Sequence, residues 1–219
     1  MLKQHYKNIL FDLDGTLTDS AEGVTRSVQY ALNKFGINAS LTELKSFIGP
    51  PLQHSFQNYY GFKEGEVLQA IKYFREYYSE TGLFQNKLYS HVPEMLEKLS
   101  VNGAKLYLAT SKATYFAEII LRHFQINDYF TTVTGANFDG TRVVKWEVID
   151  YVLKQNNSIN KSTTVMIGDH RQDIEGARCC GIDSIAVTYG YGHPEELSKA
   201  GPTHFVHSVP ELTNLLLTG

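Results

Sequence analysis

From residue 86 onward, short apolar runs alternate along the chain with stripes of apolar residues at helical spacing. The apolar runs predict strands, and most of them are followed by a helical stripe. The runs are residues 106–109, 165–167, 185–187 and 205–206, and residues 131–134 form a weaker strand candidate. Strands that alternate with helices form right-handed βαβ units, which build a parallel sheet with helices on its faces. With an earlier apolar run at residues 9–11 as its first strand, the chain is expected to have an α/β, doubly wound core.

The chain between this first strand and residue 86 has a different pattern. Residues 20–84 carry apolar residues at helical spacing and no convincing strand. Gly49-Pro50-Pro51 divides this part into separate helices, because consecutive prolines cannot continue a helix. We therefore expect an α/β catalytic core of residues 1–19 and 85–219, interrupted by a helical cap domain of residues 20–84. Because the cap leaves beside the end of the first strand, it is expected to act as a lid there.

Two carboxylates directly follow the first strand. Asp12 and Asp14 are two residues apart, so their side chains share a face if the backbone stays extended. They lie at the carboxyl end of a strand, where open α/β sheets bind ligands. A divalent cation relieves the repulsion between two close carboxylates, and Mg²⁺ prefers oxygen ligands. Together with the sharp turn that Gly15 permits and the hydroxyl of Thr16, the stretch indicates metal-assisted chemistry on an anion.

Two further segments carry groups suited to a phosphate. Thr110-Ser111-Lys112 follows the second core strand and offers a hydroxyl, backbone amides and a cation, with a solvated turn as the alternative. Lys145 lies at the start of a helix, where a positive charge is unfavourable for the helix dipole. Neutralising a phosphate and a nucleophilic aspartate is a reason for a lysine there, and a surface lysine is the alternative. Arg142 and Lys112 are rival candidates for the same role.

A second acidic pair follows a later strand. Asp169 comes directly after it and is placed to ligate a metal beside Asp12. Asp173 falls in the first turn of the next helix. There it can bind the metal through water, orient Lys145, or satisfy free backbone amides at the helix N-terminus. His170 is close to these acids, but a solvated loop position is the favoured interpretation.

Taken together, these segments resemble the haloacid dehalogenase superfamily. The motifs that carry the resemblance are Asp12-x-Asp14-Gly15-Thr16, Thr110-Ser111-Lys112, Lys145 and Gly168-Asp169-x-x-x-Asp173. The subgroup that the sequence resembles most consists of phosphoglycolate phosphatase-like and 5′-nucleotidase-like proteins. This resemblance implies a Rossmann-like core with the smaller, C1-type helical cap. It also implies a Mg²⁺-dependent phosphatase that hydrolyses a small-molecule phosphate monoester.

The resemblance assigns the chemical steps to the aspartates. Asp12 would attack phosphorus and form an aspartyl-phosphate. Asp14 would protonate the leaving alcohol and then activate water. The Asp12 side chain, the Asp14 backbone carbonyl and Asp169 would hold Mg²⁺ as the cofactor, with Asp173 in a supporting role.

The resemblance also implies how the phosphate is bound. The residues expected to bind it are Gly15, Thr16, Thr110, Ser111 and Lys112. Thr110 and the Ser111 amide would hold the transferring phosphoryl group, while Lys145 would steady its negative charge. Many relatives place a proline after this lysine, whereas Trp146 follows it here.

Two other functions use the same residues. A phosphosugar mutase returns the phosphoryl group to a sugar instead of releasing phosphate. A non-catalytic phosphoacceptor or binding module, such as a receiver-like domain, also groups acids, a hydroxyl and a lysine on a parallel sheet. The helical insert and the presence of Asp14 as an acid/base candidate favour a phosphatase with turnover.

Composition narrows the class of partner. The 219-residue chain has a net charge of −3, which disfavours nucleic-acid polymers as partners. Its two cysteines, Cys179 and Cys180, are adjacent and fit a reducing compartment. The N-terminal residues lack the features of a signal peptide, and no stretch has the length of a membrane span. We therefore expect a cytoplasmic monomer or small homo-oligomer that acts on a small-molecule phosphate ester.

Overall fold

The computed structural model describes residues 6–156 and 158–218. The chain forms two compact units, one of Met1–Leu17 and Leu88–Gly219 and the other of Thr18–Lys87. Residues 1–5, 157 and 219, which the expected catalytic core includes, lie outside the described residues. The functions expected of the two domains, catalytic core and cap, remain predictions.

The first unit is built on a parallel sheet. The strands are β1 Asn8–Phe11, β2 Thr18–Asp19, β3 Lys87–Leu88, β4 Lys105–Ala113, β5 Phe130–Ala136, β6 Thr164–Gly168, β7 Asp183–Val187 and β8 His204–Val206. Six of them form one sheet in the order β5-β4-β1-β6-β7-β8, and β2 pairs with β3. Every described pairing within the larger sheet is parallel, which confirms the predicted α/β fold class.

Helices follow most of the strands, as the alternating pattern predicts. The α-helices are α1 Ala21–Asn33, α2 Leu52–Tyr60, α3 Glu64–Glu80, α4 Val92–Val101, α5 Thr114–His123, α6 Lys145–Gln155, α7 Arg171–Cys180, α8 Pro194–Ala200 and α9 Val209–Thr218. None of the helices in the described part of the chain combines the length and the apolar character that a bilayer crossing needs.

The strand β1 lies in the middle of the sheet and is buried on both faces. Its residues Ile9, Leu10 and Phe11 are all 0% exposed. Leu10 packs in a buried cluster that includes Met166 of β6 and Ile149 of α6. Burying such a side chain contributes about 1.5–3 kcal/mol, so the apolar run fixes β1 at the centre of the core.

Three details differ from the sequence-based expectation. The strand β4 runs to Ala113 instead of ending at Ala109, with a register shift against β5 between these two residues. The short helix expected over residues 41–47 is two residues shorter, a 3₁₀ helix of residues 43–47. The helix α8 was not predicted, because it is short and its buried residues are Leu197 and Ala200 alone.

The second unit is helical, with β2 and β3 near its two ends. Val28 and Leu32 of α1 are fully buried. Aromatic rings pack within this unit, for example Phe35 on Phe62 with ring centroids 4.8 Å apart. Among the aromatic residues of this unit, Phe62, Phe74 and Tyr78 are buried, whereas Tyr59 is 52% and Phe84 is 48% exposed.

Candidate active site

The polar residues predicted from the sequence follow adjacent strands. In the parallel register, Phe11 of β1 pairs with Leu108 of β4 and with Ile167 of β6. Asp12 therefore continues from the central strand, between the segments that carry Thr110 and Asp169. The carboxylates are withdrawn from solvent, since Asp12 is 5% and Asp169 is 0% exposed. This edge is the one where open parallel sheets place their ligand sites.

Lys145, the first residue of α6, joins two of the aspartates. Its Nζ lies 2.9 Å from Asp12 Oδ1 and 2.8 Å from Asp173 Oδ1, and it donates to Ala109 O at 3.2 Å. Burial alone lowers the pKa of Lys145, but the charges of Asp12 and Asp173 outweigh it and raise the pKa above its ordinary value. The ammonium group is therefore cationic at neutral pH and neutralises the nucleophile candidate.

Asp173 combines two of the roles that its position suggested. Its Oδ2 accepts a hydrogen bond from His170 N at 3.0 Å, so the carboxylate caps α7. Its Oδ1 pairs with Lys145. Burial raises the pKa of Asp173 to about 6, while the charge of Lys145 acts in the opposite direction. One side chain thus fixes both the start of α7 and the ammonium group of Lys145.

The two rivals of Lys145 have different partners. Lys112 Nζ lies 2.7 Å from Asp14 Oδ2, and both side chains are largely buried. Arg142 donates to Gly135 O of β5 at 2.7 Å and to Asn137 Oδ1, just after that strand, at 3.0 Å. The structure therefore brings Lys112 to the second aspartate of the motif. It places the Arg142 guanidinium against the end of β5 instead of the acids.

The phosphate-binding candidates lie around the ends of β1 and β4. Thr110 is buried, and its Oγ1 accepts a hydrogen bond from Lys112 N at 3.3 Å. Ser111, beside it, is half-buried. Thr16 is fully buried, and its hydroxyl has no hydrogen-bond partner among residues 6–156 and 158–218. Gly15 adopts a φ of 82°, a left-handed conformation that other residues rarely take.

Asp169 is held through one of its two oxygens. Tyr191 N donates to Asp169 Oδ2 at 2.7 Å, and His170 Nδ1 lies 3.1 Å from the same oxygen. A Cβ atom at Gly15 would overlap the Asp169 carboxylate, so the turn after Asp14 packs directly on it. The expectation that His170 is a solvated loop residue is wrong, since its side chain is 16% exposed. Burial lowers the pKa of His170, but Asp169 outweighs this and raises it to about 9.

The carboxylate oxygens and the negative net charge of the site suit a divalent cation. Asp14 Oδ1 and Asp169 Oδ1 are buried and have no hydrogen-bond partner among the residues that the structure describes. Asp169, His170 and Asp173 also bring potential ligand atoms within 4.8 Å of one another. The four aspartates Asp12, Asp14, Asp169 and Asp173 outnumber the three basic side chains that contact them, those of Lys112, Lys145 and His170. A buried acidic cluster of this kind suits a hard cation such as Mg²⁺.

Residues 188–192, which follow β7, were missed by sequence reasoning. Besides the contact of Tyr191 N with Asp169, Tyr189 Oη donates to Thr16 O at 3.0 Å. Burial raises the pKa of Tyr189, and so the hydroxyl remains a donor. The sequence did contain one indication, since this segment follows a predicted strand and includes Gly190 and Gly192.

Most of the sequence matches a family of hydrolases. The model of the haloacid dehalogenase-like hydrolases matches residues 9–187. The chain belongs to this family, which confirms the resemblance and the expected class of enzyme.

Three curated relatives are similar over most of the chain. A protein of Pseudomonas aeruginosa named 5′-nucleotidase is 43% identical over 212 residues, covering 96% of each chain. The tyrosine-protein kinase PtkA of Mycobacterium tuberculosis is 37% identical over 200 residues, which are 91% of this chain and 68% of the kinase. A phosphoglycolate phosphatase of Vibrio vulnificus is 30% identical and covers 99% of each chain.

A solved structure supports the same grouping. It is described as a predicted phosphatase from Clostridium acetobutylicum and superposes with a TM-score of 0.95 at 45% identity, covering 98% of this chain and 100% of that one. The chain is a hydrolase of the haloacid dehalogenase type. The relatives named as phosphatases support the expected class of phosphoric monoester hydrolase.

Proposed function

We propose that the protein is a Mg²⁺-dependent phosphatase that hydrolyses a small-molecule phosphate monoester through an aspartyl-phosphate on Asp12. The observation that carries this proposal is the buried contact between Lys145 Nζ and Asp12 Oδ1 at 2.9 Å. The ammonium group of Lys145 neutralises the carboxylate charge that a dianionic phosphate would otherwise meet on its approach to Asp12. Leu13 N also donates to Asp12 Oδ1, at 2.8 Å, and we assign the attack on phosphorus to Oδ2.

Asp14 is assigned the proton transfers. Lys112 holds Asp14 Oδ2 at 2.7 Å, whereas Oδ1 has no hydrogen-bond partner in the described part of the chain. The free oxygen is the one that can give a proton to the leaving alcohol and later take a proton from the attacking water. This division gives each carboxylate of the motif one restrained oxygen and one reacting oxygen.

The remaining residues would bind the phosphoryl group. Thr110 and the Ser111 amide supply donors at the end of β4, and Lys145 supplies positive charge. Asp12, the Asp14 carbonyl and Asp169 would hold Mg²⁺, which would offset the repulsion between a dianionic phosphate and the Asp12 carboxylate. The buried Oδ1 of Asp169, unpartnered among the described residues, supports this cation site.

The same residues are compatible with the phosphosugar mutase and the non-catalytic binding module, and the product separates these functions. We expect inorganic phosphate from a hydrolase, an isomeric sugar phosphate from a mutase and no product from a binding module. The relative at 43% identity is named 5′-nucleotidase, so nucleoside monophosphates are the first substrates to examine. Phosphoglycolate, sugar phosphates and pyrophosphate complete the panel.

The test is phosphate release from this panel with Mg²⁺ or with EDTA. The wild type is compared with Asp12→Asn and with Asp150→Asn, an acid of α6 that pairs with the exposed Lys154. We expect release that needs Mg²⁺, is retained in Asp150→Asn and is lost in Asp12→Asn. A folded wild type that releases no phosphate from any substrate would overturn the proposed hydrolysis.

The proposal places the protein in the cytoplasm as a monomer or small homo-oligomer. Both cysteines, Cys179 and Cys180, are free thiols, which suits a reducing compartment. These two statements remain predictions.

A further inference from the structure

The carboxylate of Asp169 is restrained in an asymmetric way. Its Oδ2 accepts a hydrogen bond from the backbone of Tyr191, while its Oδ1 is buried with no hydrogen-bond partner among the described residues. His170 Nδ1 lies 3.1 Å from the same oxygen, Oδ2. Because both oxygens belong to one rigid carboxylate, contacts that restrain Oδ2 also restrain Oδ1, and the amide of Tyr191 is one of the groups that orient it.

This amide belongs to a tightly packed segment, residues 188–192. A Cβ atom at Gly190 would overlap both Gly15 O and the Asp169 carboxylate, and one at Gly192 would overlap Asp169 O. Neither Gly190 nor Gly192 has a positive φ. These glycines are thus needed for close approach to Asp169, so the segment lies against the carboxylate without space for a side chain.

Tyr189 fastens the segment to the turn that follows Asp14. Its Oη donates to Thr16 O at 3.0 Å, and its ring packs edge-on against Tyr89 with centroids 5.0 Å apart. Tyr89 N in turn donates to Leu17 O at 3.1 Å. The segment is consequently tied to the chain on both sides of the helical insert, at Thr16–Leu17 and at Tyr89.

We propose that residues 188–192 are a positioning segment for Asp169 and that Tyr189 is its anchor. Tyr189 sets how tightly the site holds a divalent cation, although its own contacts are with Thr16 and Tyr89. This inference rests on the proposed function, because that function places the cation at Asp169. It adds a positioning residue that lies outside the recognised motifs.

The test compares Mg²⁺ binding by wild type and Tyr189→Phe, measured by calorimetry without substrate. The variant keeps the ring and loses the hydrogen bond to Thr16 O. We expect Mg²⁺ to bind about 3- to 10-fold more weakly, as the loss of one hydrogen bond would give. The Mg²⁺ concentration for half-maximal phosphate release should rise by the same factor, with little change in KM for the substrate at saturating Mg²⁺.

Tyr6→Phe is the matched control. Tyr6 Oη donates to Asp183 Oδ2 at 2.9 Å. The variant therefore also loses one tyrosine hydrogen bond in the same unit, but the acceptor is not one of the aspartates of the candidate site. Its Mg²⁺ affinity should equal that of the wild type even if its melting temperature falls as much as that of Tyr189→Phe. Equal Mg²⁺ affinity in Tyr189→Phe and wild type overturns the inference.

A second variant keeps the test decisive if Tyr189→Phe does not fold. Tyr89→Leu removes the ring against which Tyr189 packs, and it should also weaken Mg²⁺ binding. Unchanged affinity in Tyr89→Leu then overturns the inference. If the wild type binds no Mg²⁺, both the metal dependence and this inference are overturned. If the wild type binds Mg²⁺ and the variants bind it equally well, the inference alone is overturned.

Discussion

Lys145 Nζ lies 2.9 Å from Asp12 Oδ1, with both side chains buried at the centre of the sheet edge. The same nitrogen contacts Asp173 Oδ1, so one cation neutralises a carboxylate that follows β1 and another in the first turn of α7. Removing one partner of a buried ion pair leaves the other charge uncompensated, which is far more harmful than losing an exposed pair. Several of the following predictions depend on this arrangement.

Lys145→Met should be strongly destabilising. Asp12 and Asp173 would remain buried together without their shared cation, and we expect a loss of about 3–5 kcal/mol in the free energy of unfolding. Phosphate release should fall about 100-fold or more in the protein that remains folded. Urea unfolding and steady-state kinetics measure the two effects.

Lys154→Met is the control for this prediction. Lys154 also forms a lysine–aspartate pair on α6, with Asp150 at 2.7 Å, but its side chain is 73% exposed. The Lys154→Met variant should unfold at nearly the same urea concentration as the wild type. Equal unfolding midpoints for Lys145→Met and Lys154→Met would contradict the buried-pair account.

Lys112→Met should lower kcat through Asp14. The loss of its 2.7 Å contact frees the Asp14 carboxylate to turn away from the leaving group. The loss of a charge-assisted hydrogen bond of this kind should lower kcat by about 10- to 100-fold. Arg142→Met should have a smaller effect, since the guanidinium donates to Gly135 O and Asn137 Oδ1 and to none of the aspartates that the lysines contact. We expect kcat to fall most in Lys145→Met, less in Lys112→Met and least in Arg142→Met. If Arg142→Met lost the most activity, Lys145 would not be the catalytic cation.

Removing the metal should lower thermal stability through Asp169. Mg²⁺ that binds only the folded protein stabilises it, and at about 100 times Kd the melting temperature should rise by roughly 5 °C. EDTA should abolish the rise. Asp169→Asn should show no rise, and Asp150→Asn should show the wild-type rise. An undiminished shift in Asp169→Asn would exclude this carboxylate from the cation site.

The two adjacent cysteines should differ in reactivity. Cys179 is exposed, whereas Cys180 is buried, and burial raises the pKa of Cys180 to about 11. At pH 8 its thiolate fraction is about 100-fold below that of a thiol with pKa 9. A thiol reagent should therefore react quickly with Cys180→Ser, which retains Cys179, and slowly with Cys179→Ser, which retains Cys180. The slow rate should rise as the pH approaches 11. Equal rates at pH 8 would contradict the burial of Cys180.

The sequence predicted the residues of the site better than their contacts. Asp12 and Asp169 were predictable because each directly follows a buried apolar run, and the carboxyl ends of parallel strands share an edge. Lys145 was predictable because its charge is unfavourable at a helix start. These arguments need the order of elements along the chain and no knowledge of side-chain packing.

The contacts that were missed depend on sheet order and loop conformation. Lys112 pairs with Asp14 because β4 lies beside β1 and continues through a register shift, which the apolar run at 106–109 does not reveal. Tyr191 reaches Asp169 because β7 lies beside β6. A backbone donor has no signature in the sequence, so only the flanking glycines hinted at this segment.

The central claim is that Asp12 carries the phosphoryl group, and acid quenching of the enzyme during turnover tests it most directly. With the best substrate of the panel and Mg²⁺, we predict a covalent phosphoenzyme that peptide mass spectrometry locates on Asp12. With p-nitrophenyl phosphate, whose leaving group needs no proton, Asp14→Asn should accumulate it because water activation is lost, and Asp12→Asn should form none. Continued phosphate release with no phosphoenzyme in wild type or Asp14→Asn, or with the phosphoryl group on another residue, would contradict the account.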